Sequence, residues 1–157
     1  MNELSRISGL LKQSYDGRPW YGRSLLRLLL DLTPERAAAQ PIPEAHSIWQ
    51  EVLHIIAWRQ FACRLLNGQT TAKLADNENW PPQPTADPAA WQKTLDDLAH
   101  TQDQLQAALD RLSDDQLQEK APGQPDSFYV LLHGILQHDA YHVGQIALLR
   151  NATRDAK

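Results

Sequence analysis

The chain has 157 residues, of which 42% are hydrophobic and 22% charged, with a formal net charge of −4, so we expect one soluble domain over residues 1–157. No apolar run approaches the ~18 residues of a membrane-spanning helix, and no basic tract suggests a nucleic-acid partner. The single cysteine, Cys63, excludes an internal disulfide framework, and the first residues lack the pattern of a secretory signal, so we expect a cytoplasmic protein.

In the first part of the chain, every periodic segment has helical spacing, and none is predicted as a strand. A first helix is predicted over residues 3–15, where it meets the turn signal Asp-Gly-Arg-Pro. A second piece covers residues 24–32. Thr-Pro at positions 33–34 then begins a short turn through residue 38. The first helix of the fold is therefore predicted to be broken.

The rest of the chain predicts three long helices. Ser47 and Gln50 form a capping box at the start of a helix that ends at Asn67-Gly68. The proline-rich segment 69–86 is predicted as a loop over the body of the protein. Asp87-Pro88 begins a helix to about residue 112, a short turn starts at 113, and the last helix runs from 126 or 127 to about 150. This pattern predicts an all-α, antiparallel four-helix bundle.

Polar side chains interrupt the inward-facing positions near the middle of all three long helices, and on the helix from Asp87-Pro88 the interruption is Gln102. On the last helix, the interruption is the pair His138 and His142, and on the helix from Ser47 it includes His54. Two imidazoles at i and i+4 lie ~6 Å apart on one helix face, a spacing that suits chelation of one ion. A third imidazole from a facing helix would complete a set with positions left for water or substrate. His54, His138 and His142 are therefore the candidate metal ligands.

The remaining histidines do not fit this set, and we expect them to be structural or on the surface. His133 lies ~140° around the helix from His138, His46 precedes its helix, and His100 falls on a polar face. Gly134 and Gly144, in the middle of the last helix, are expected to allow close helix packing. Together these residues add no second site.

Two alternative chemistries are disfavoured by the same residues. The stretch from His138 to His142 has the spacing of the HExxH zinc-protease motif, but Asp139 replaces the glutamate base and is one methylene shorter. The chain also lacks the predicted strand that such enzymes use for substrate binding. Cys63 has no basic neighbour in sequence that would activate its thiol, so we expect it to be a packing residue.

Several segments with these histidines resemble the DinB/YfiT-like superfamily. They are Ser-Ile-Trp-Gln-Glu-Val-Leu-His54, the Trp80-Pro-Pro loop, Trp91-Gln, and Leu-Leu-His-Gly-Ile-Leu-Gln-His138-Asp-Ala-Tyr-His142-Val-Gly-Gln. The resemblance implies a four-helix bundle that holds a divalent metal ion with one histidine of the second helix and an HxxxH pair of the fourth. By position, these are again His54, His138 and His142. Some members are thiol S-transferases that use bacillithiol or mycothiol, and others are isomerases or are regarded as hydrolases.

The resulting functional hypothesis is a metal-dependent enzyme that transfers a low-molecular-weight thiol to an electrophilic small molecule. The alternatives are metal-assisted hydrolysis and a non-catalytic stress-response protein in which the metal only stabilises the bundle. Three neutral imidazoles suit zinc, nickel, copper or iron(II), and availability decides among them. We expect zinc or nickel, with iron or manganese as alternatives. Glu51 or Gln102 is expected to hydrogen-bond a ligand or to act as the base, and Trp20, Tyr21 and Trp80 are expected to shape the substrate pocket.

A homodimer is also expected, because the helix from Ser47 is apolar on more than one side. The residues concerned are Ile48, Trp49, Val52, Ile55 and Ile56. One side can pack into the bundle, and the other needs a cover. That cover is either the segment 69–86 or a second subunit.

Overall fold

The computed structural model describes residues 2–71 and 73–154, so positions 1, 72 and 155–157 of the predicted domain lie outside the described residues. The helices are α1 (Glu3–Tyr15), α2 (Leu25–Leu29), α3 (Pro34–Ala38), α4 (Ile48–Leu66), α5 (Asp76–Asn79), α6 (Pro88–Leu109) and α7 (Phe128–Arg154). A short 3-10 helix covers Asp114–Gln118. The described residues form no strand, only an isolated bridge between Lys120 and Ser127. The all-α prediction is confirmed.

The helices begin where their capping residues predict. The Ser47 hydroxyl accepts a hydrogen bond from the Gln50 amide at 3.1 Å, and the Gln50 side chain accepts one from the Ser47 amide at 2.9 Å. The Asp87 carboxylate accepts hydrogen bonds from the two amides at positions 89 and 90 of α6. Such caps satisfy amides that have no partner within the helix.

Helix ends and loops agree less well with the predictions. Helix α6 ends at Leu109 rather than near 112, and α7 continues to Arg154 instead of ending near 150. The piece predicted over 24–32 is helical only over Leu25–Leu29, and the predicted loop 69–86 contains α5. Helix ends fray, so the boundaries of a helix are harder to predict from sequence than its existence.

The four long helices α1, α4, α6 and α7 form a four-helix bundle as predicted, but the antiparallel arrangement predicted for its helices does not hold for α4 and α6. Helices α4 and α6 run in the same direction, since Trp49 near the start of α4 donates to Thr94 near the start of α6 at 2.9 Å. Helix α7 runs antiparallel to α4, with Arg59 opposite Asp139. The parallel pair is possible because the segment between α4 and α6 returns along the length of the bundle.

An apolar group of side chains, here named the distal cluster, fills one end of the bundle. Its buried members are Leu4, Ile7, Leu11, Ala62, Cys63, Leu105, Leu109, Leu117, Leu132 and Ile135. Burial raises the pKa of the Cys63 thiol to about 11, so this thiol is protonated at neutral pH. The packing role expected for Cys63 agrees with this environment.

The apolar sides of α4 are covered by the chain itself. Ile48, Trp49, Val52 and Ile55 are fully buried, and Leu74 of the segment 69–86 packs against α4. The reason given for a second subunit is therefore removed, although the homodimer itself stays a prediction. No helix among the described residues is both long and apolar enough to cross a membrane.

The expectation that Gly134 and Gly144 allow close helix packing is wrong. A Cβ atom added at either position would meet no heavy atom within 4 Å outside the local helix backbone. Both residues are exposed. The space beside Gly134 is part of a pocket described below.

Candidate metal centre

The three predicted histidines lie together between α4 and α7. One ring nitrogen from each of His54, His138 and His142 falls within a group whose members are at most 4.8 Å apart. The Nε2 atoms of His54 and His138 are 3.0 Å apart. His54 and His142 are buried, and His138 is half-buried. The antiparallel pairing of the two helices thus brings the HxxxH pair opposite the third imidazole.

Hydrogen bonds orient two of the rings. The Nδ1 atom of His54 lies 2.6 Å from the carbonyl oxygen of Asn79, and because a carbonyl only accepts, Nδ1 carries the proton. The Nδ1 atom of His142 lies 2.5 Å from Oε2 of Glu51. In both residues Nε2 is left for another partner, which is the arrangement that commonly orients histidine ligands of a metal.

The third ring, that of His138, has a different environment. Its Nδ1 is buried without a hydrogen-bond partner among the described residues and lies 4.0 Å from Oδ1 of Asp139. Oδ2 of Asp139 accepts two hydrogen bonds from the Arg59 guanidinium, at 2.8 and 3.1 Å. Burial by itself raises the pKa of the Asp139 carboxyl, but the charge and hydrogen bonds of Arg59, together with the neighbouring His138, outweigh burial and lower it. Asp139 is therefore a charged partner of Arg59, not the free base of a protease motif.

The donor set fits a divalent transition-metal ion. Burial, the largest contribution, lowers the pKa of His54 to about 4, so its imidazole is neutral at pH 7. A neutral imidazole with a protonated Nδ1 presents a lone pair at Nε2, as a metal ligand must. Three imidazoles placed this close together can hold a metal ion, and three protein ligands leave coordination positions open, as in catalytic zinc sites.

Trp80 covers one side of this site. Its indole is stacked between the rings of His46 and His54, with ring centroids 3.6 and 3.8 Å apart and interplanar angles of 13° and 9°. The indole N–H of Trp58 donates to the side-chain oxygen of Asn79 at 2.9 Å. The segment 69–86 thus lies over the site as predicted for Trp80, and His46 supports the covering indole.

The other residues assigned to the site from sequence have different outcomes. Glu51 reaches the site and contacts His142, a residue of α7. Gln102 is buried, but no hydrogen bond among the described residues joins it to a histidine. Trp20 is fully exposed, with a relative exposure of 103%, and the Tyr21 hydroxyl is 2.6 Å from that of Ser14. In this structure, the expectation that Trp20 and Tyr21 shape a pocket at the histidines is not met.

The histidines set aside from sequence lie outside the triad. The ring of His133 packs beside Tyr129, with ring centroids 4.4 Å apart. His100 is exposed on α6. Neither belongs to the group that could hold a metal ion.

Sequence reasoning missed Arg59 and Asn79. Arg59 could have been recognised from the sequence, because it continues the inward-facing positions of Ile48, Val52 and Ile55 on α4. A cation at such a position requires a buried partner of opposite charge. Asn79 could not have been recognised, since it contacts His54 through its backbone carbonyl, which every residue possesses.

The fold and the site together define a helical bundle whose two facing helices supply a three-histidine, metal-competent centre. The chain belongs to the DinB superfamily, whose family model matches residues 21–146. This match includes all three histidines and the covering Trp80. No curated protein and no solved structure gives a significant match.

Proposed function

We propose that the chain is a metal-dependent enzyme that transfers a low-molecular-weight thiol to an electrophilic small molecule. The observation that carries the proposal is the convergence of three imidazoles, two of them oriented through Nδ1, beside a surface pocket. A site that only stabilised the bundle would gain nothing from this access. Membership of the DinB superfamily supports the choice of reaction, because some members are thiol S-transferases.

The reaction forms a bond between sulfur and an electrophilic carbon and breaks the bond between that carbon and its leaving group. The leaving group departs with the electron pair, and the thiol proton passes to solvent. A bound divalent ion, for which we propose zinc or nickel ahead of iron or manganese, would lower the pKa of the thiol so that thiolate is available at neutral pH.

The residues of the chain hold and orient the reacting groups. The carboxylate of Glu51 accepts the Nδ1 proton of His142 and stabilises the tautomer with a free Nε2. The Asn79 carbonyl does the same for His54. The indole of Trp80 excludes water from one face of His54. Each contact reduces the motion of a ligand before the metal and substrate bind.

The thiol in this proposal comes from outside the chain. Cys63, the single cysteine, is buried in the distal cluster, and burial raises its pKa to about 11. A protonated thiol is a poor nucleophile. A Cys63→Ala variant should therefore keep its turnover.

The test begins with untagged protein purified without a nickel column, whose metal content is measured by elemental analysis. Product formation from 1-chloro-2,4-dinitrobenzene is then followed with bacillithiol, mycothiol or cysteine, against a reaction without thiol. We expect a rate above background that requires thiol and metal, is lost in His142→Ala and is kept in His133→Ala. Hydrolysis that needs no thiol would indicate a hydrolase, and absence of both reactions would indicate a stress-response protein with a structural metal.

We also propose a homodimer and a cytoplasmic location. Exposed apolar side chains near α2 and on α7, namely Trp20, Leu30, Tyr141 and Leu148, offer a surface for a second copy. Low-molecular-weight thiols and a free Cys63 stay reduced in the cytoplasm. Light scattering at micromolar concentration tests the dimer, and a monomer mass would refute it. Cell fractionation tests the location.

A further inference from the structure

A pocket of about 270 Å³ opens beside the histidine triad and is mainly apolar. Its lining includes Trp58, Phe61, Val130, Leu131, Ile135 and His138. His138 is the one triad residue in that lining, and 20% of its side chain is exposed, against 7% for His142. The pocket therefore leads from solvent to a candidate metal ligand.

Aromatic rings form a continuous wall of this pocket. The ring of Trp58 lies 5.4 Å from that of Phe61 and 5.3 Å from that of His138, measured between centroids. The hydrogen bond from Trp58 to Asn79 fixes the indole in this position. Fixed aromatic rings with these separations provide faces and edges for a further flat ring.

Gly134 contributes the space. It lies one turn before His138 on α7, and an added Cβ would have no heavy atom within 4 Å outside the local helix backbone. Glycine inside a helix makes that helix less stable than alanine would, and no close contact at Gly134 requires a glycine. The missing side chain leaves the pocket open next to the triad.

The size and charge of the pocket define its ligand. Its volume of about 270 Å³ exceeds the ~150 Å³ of a dry cavity that binds benzene. Among the described residues of the lining, Asp126 is the charged one, and none is a lysine or arginine. An anionic group would therefore be disfavoured there, whereas an uncharged ring would bury apolar surface.

We propose that this pocket binds the uncharged, aromatic part of the electrophilic substrate and presents that substrate to the triad. The electrophilic character of the substrate rests on the proposed function. The binding of an uncharged ring rests on the pocket alone, and the two can be tested separately.

The binding test uses 4-fluorobenzyl alcohol as a probe for the metal-loaded protein, followed by fluorine NMR without thiol. Gly134→Leu fills the pocket, and its side chain points toward the start of α7, away from His138. Gly9→Leu is the matched control, since Gly9 is also helical and an added Cβ there also meets nothing within 4 Å. We expect saturable binding in the wild type and the control, and at least ten-fold weaker binding in Gly134→Leu.

A second variant tests the pocket in case Gly134→Leu does not fold. Val130 lines the pocket but is half exposed, so Val130→Asp should fold and should weaken probe binding by placing a charge there. Equal affinity in the wild type and both pocket variants, or no saturable binding, would overturn the proposed pocket.

The same proteins separate this inference from the proposed function. Probe binding without thiol transfer would reject the proposed function and leave the pocket in place. Thiol transfer to an aromatic electrophile with an unchanged kcat/KM in Gly134→Leu would reject the pocket and leave the proposed function in place.

Discussion

The distal cluster and the histidine site are similarly buried, yet their energetics are opposite. Leu11, Leu105 and Leu132 are fully buried in the distal cluster, where removal of apolar surface from water stabilises the fold. Arg59 and Asp139 next to the site are equally inaccessible, but their burial costs free energy that their ion pair must offset. Burial therefore does not distinguish the distal cluster from the histidine site; chemical pairing does.

Incomplete pairing is a second difference between the two regions. Near the site, side-chain polar atoms of Arg59, His138 and Asp139 are buried without a hydrogen-bond partner in the described part of the chain. The apolar side chains of the distal cluster have no such requirement. A metal ion that binds only the folded protein should raise its free energy of unfolding by mass action. The distal cluster has no such dependence on a ligand.

The largest expected effect is loss of metal from the triad variants. His54→Ala, His138→Ala and His142→Ala should each reduce a stoichiometric metal content to less than about a tenth, because two imidazoles hold an ion far less well than three. Elemental analysis of the untagged proteins measures this. Their far-UV circular dichroism should stay helical, since the distal cluster is intact.

His133→Ala is the matched control on the same helix, and it should keep full metal occupancy. Its ring contacts Tyr129 and does not belong to the triad. Metal loss in this variant with retention in His138→Ala would show that the site is assigned to the wrong face of α7.

The opposite pattern is expected in the distal cluster. Leu105→Ala should lower the free energy of unfolding by about 2–5 kcal/mol, since it leaves a cavity among buried side chains. Urea denaturation measures the change, and the folded variant should bind metal as the wild type does. Leu10→Ala, at an exposed position of α1, should change stability by less than about 0.5 kcal/mol. A similar loss in both variants would remove the distinction between core and surface.

A smaller effect is expected for the residue that orients His142. Glu51→Ala removes the acceptor 2.5 Å from Nδ1, so we expect metal affinity to fall about 10- to 100-fold without complete loss. Competition with a chelating indicator measures the affinity. Gln60→Ala on the exposed side of the same helix should leave it unchanged. Unchanged affinity in Glu51→Ala would show that the contact does not support the site.

The smallest effect is the pH dependence of the metal-free protein. Burial lowers the pKa of His54 from 6.5 to about 4, so between these values the unfolded chain binds a proton that the folded chain does not. The free energy of unfolding is therefore highest above pH 6.5 and decreases as the pH falls toward 4. Urea denaturation at pH 7 and pH 5 should therefore give a lower free energy of unfolding at pH 5, with a weaker dependence in His54→Ala.

The metal-loaded protein should respond to acid in the same direction. Protons compete with the ion for the same imidazole nitrogens, so bound metal should be lost toward pH 5. Unchanged metal content and melting temperature at pH 5 would contradict a site made of three histidines.

Local sequence patterns were enough to predict the helices and to select the three histidines. Helical periodicity and the capping residues Ser47 and Asp87 act within one or two turns, so they can be recognised without knowledge of the fold. The spacing of His138 and His142 places both on one helix face. His54 was selected from its mid-helix position and from the family resemblance, which gave the same assignment.

Contacts between distant segments were decided by the tertiary structure alone. Two contacts join residues far apart in sequence: Glu51 pairs with His142, and Trp80 stacks between two imidazoles. The open space beside Gly134 likewise depends on how the segments pack. Trp20 shows the same limit, since a tryptophan in a loop is a pocket candidate by composition but is fully exposed here. Periodicity shows which face of a helix is buried, but only packing decides which side chain of another segment lies against that face.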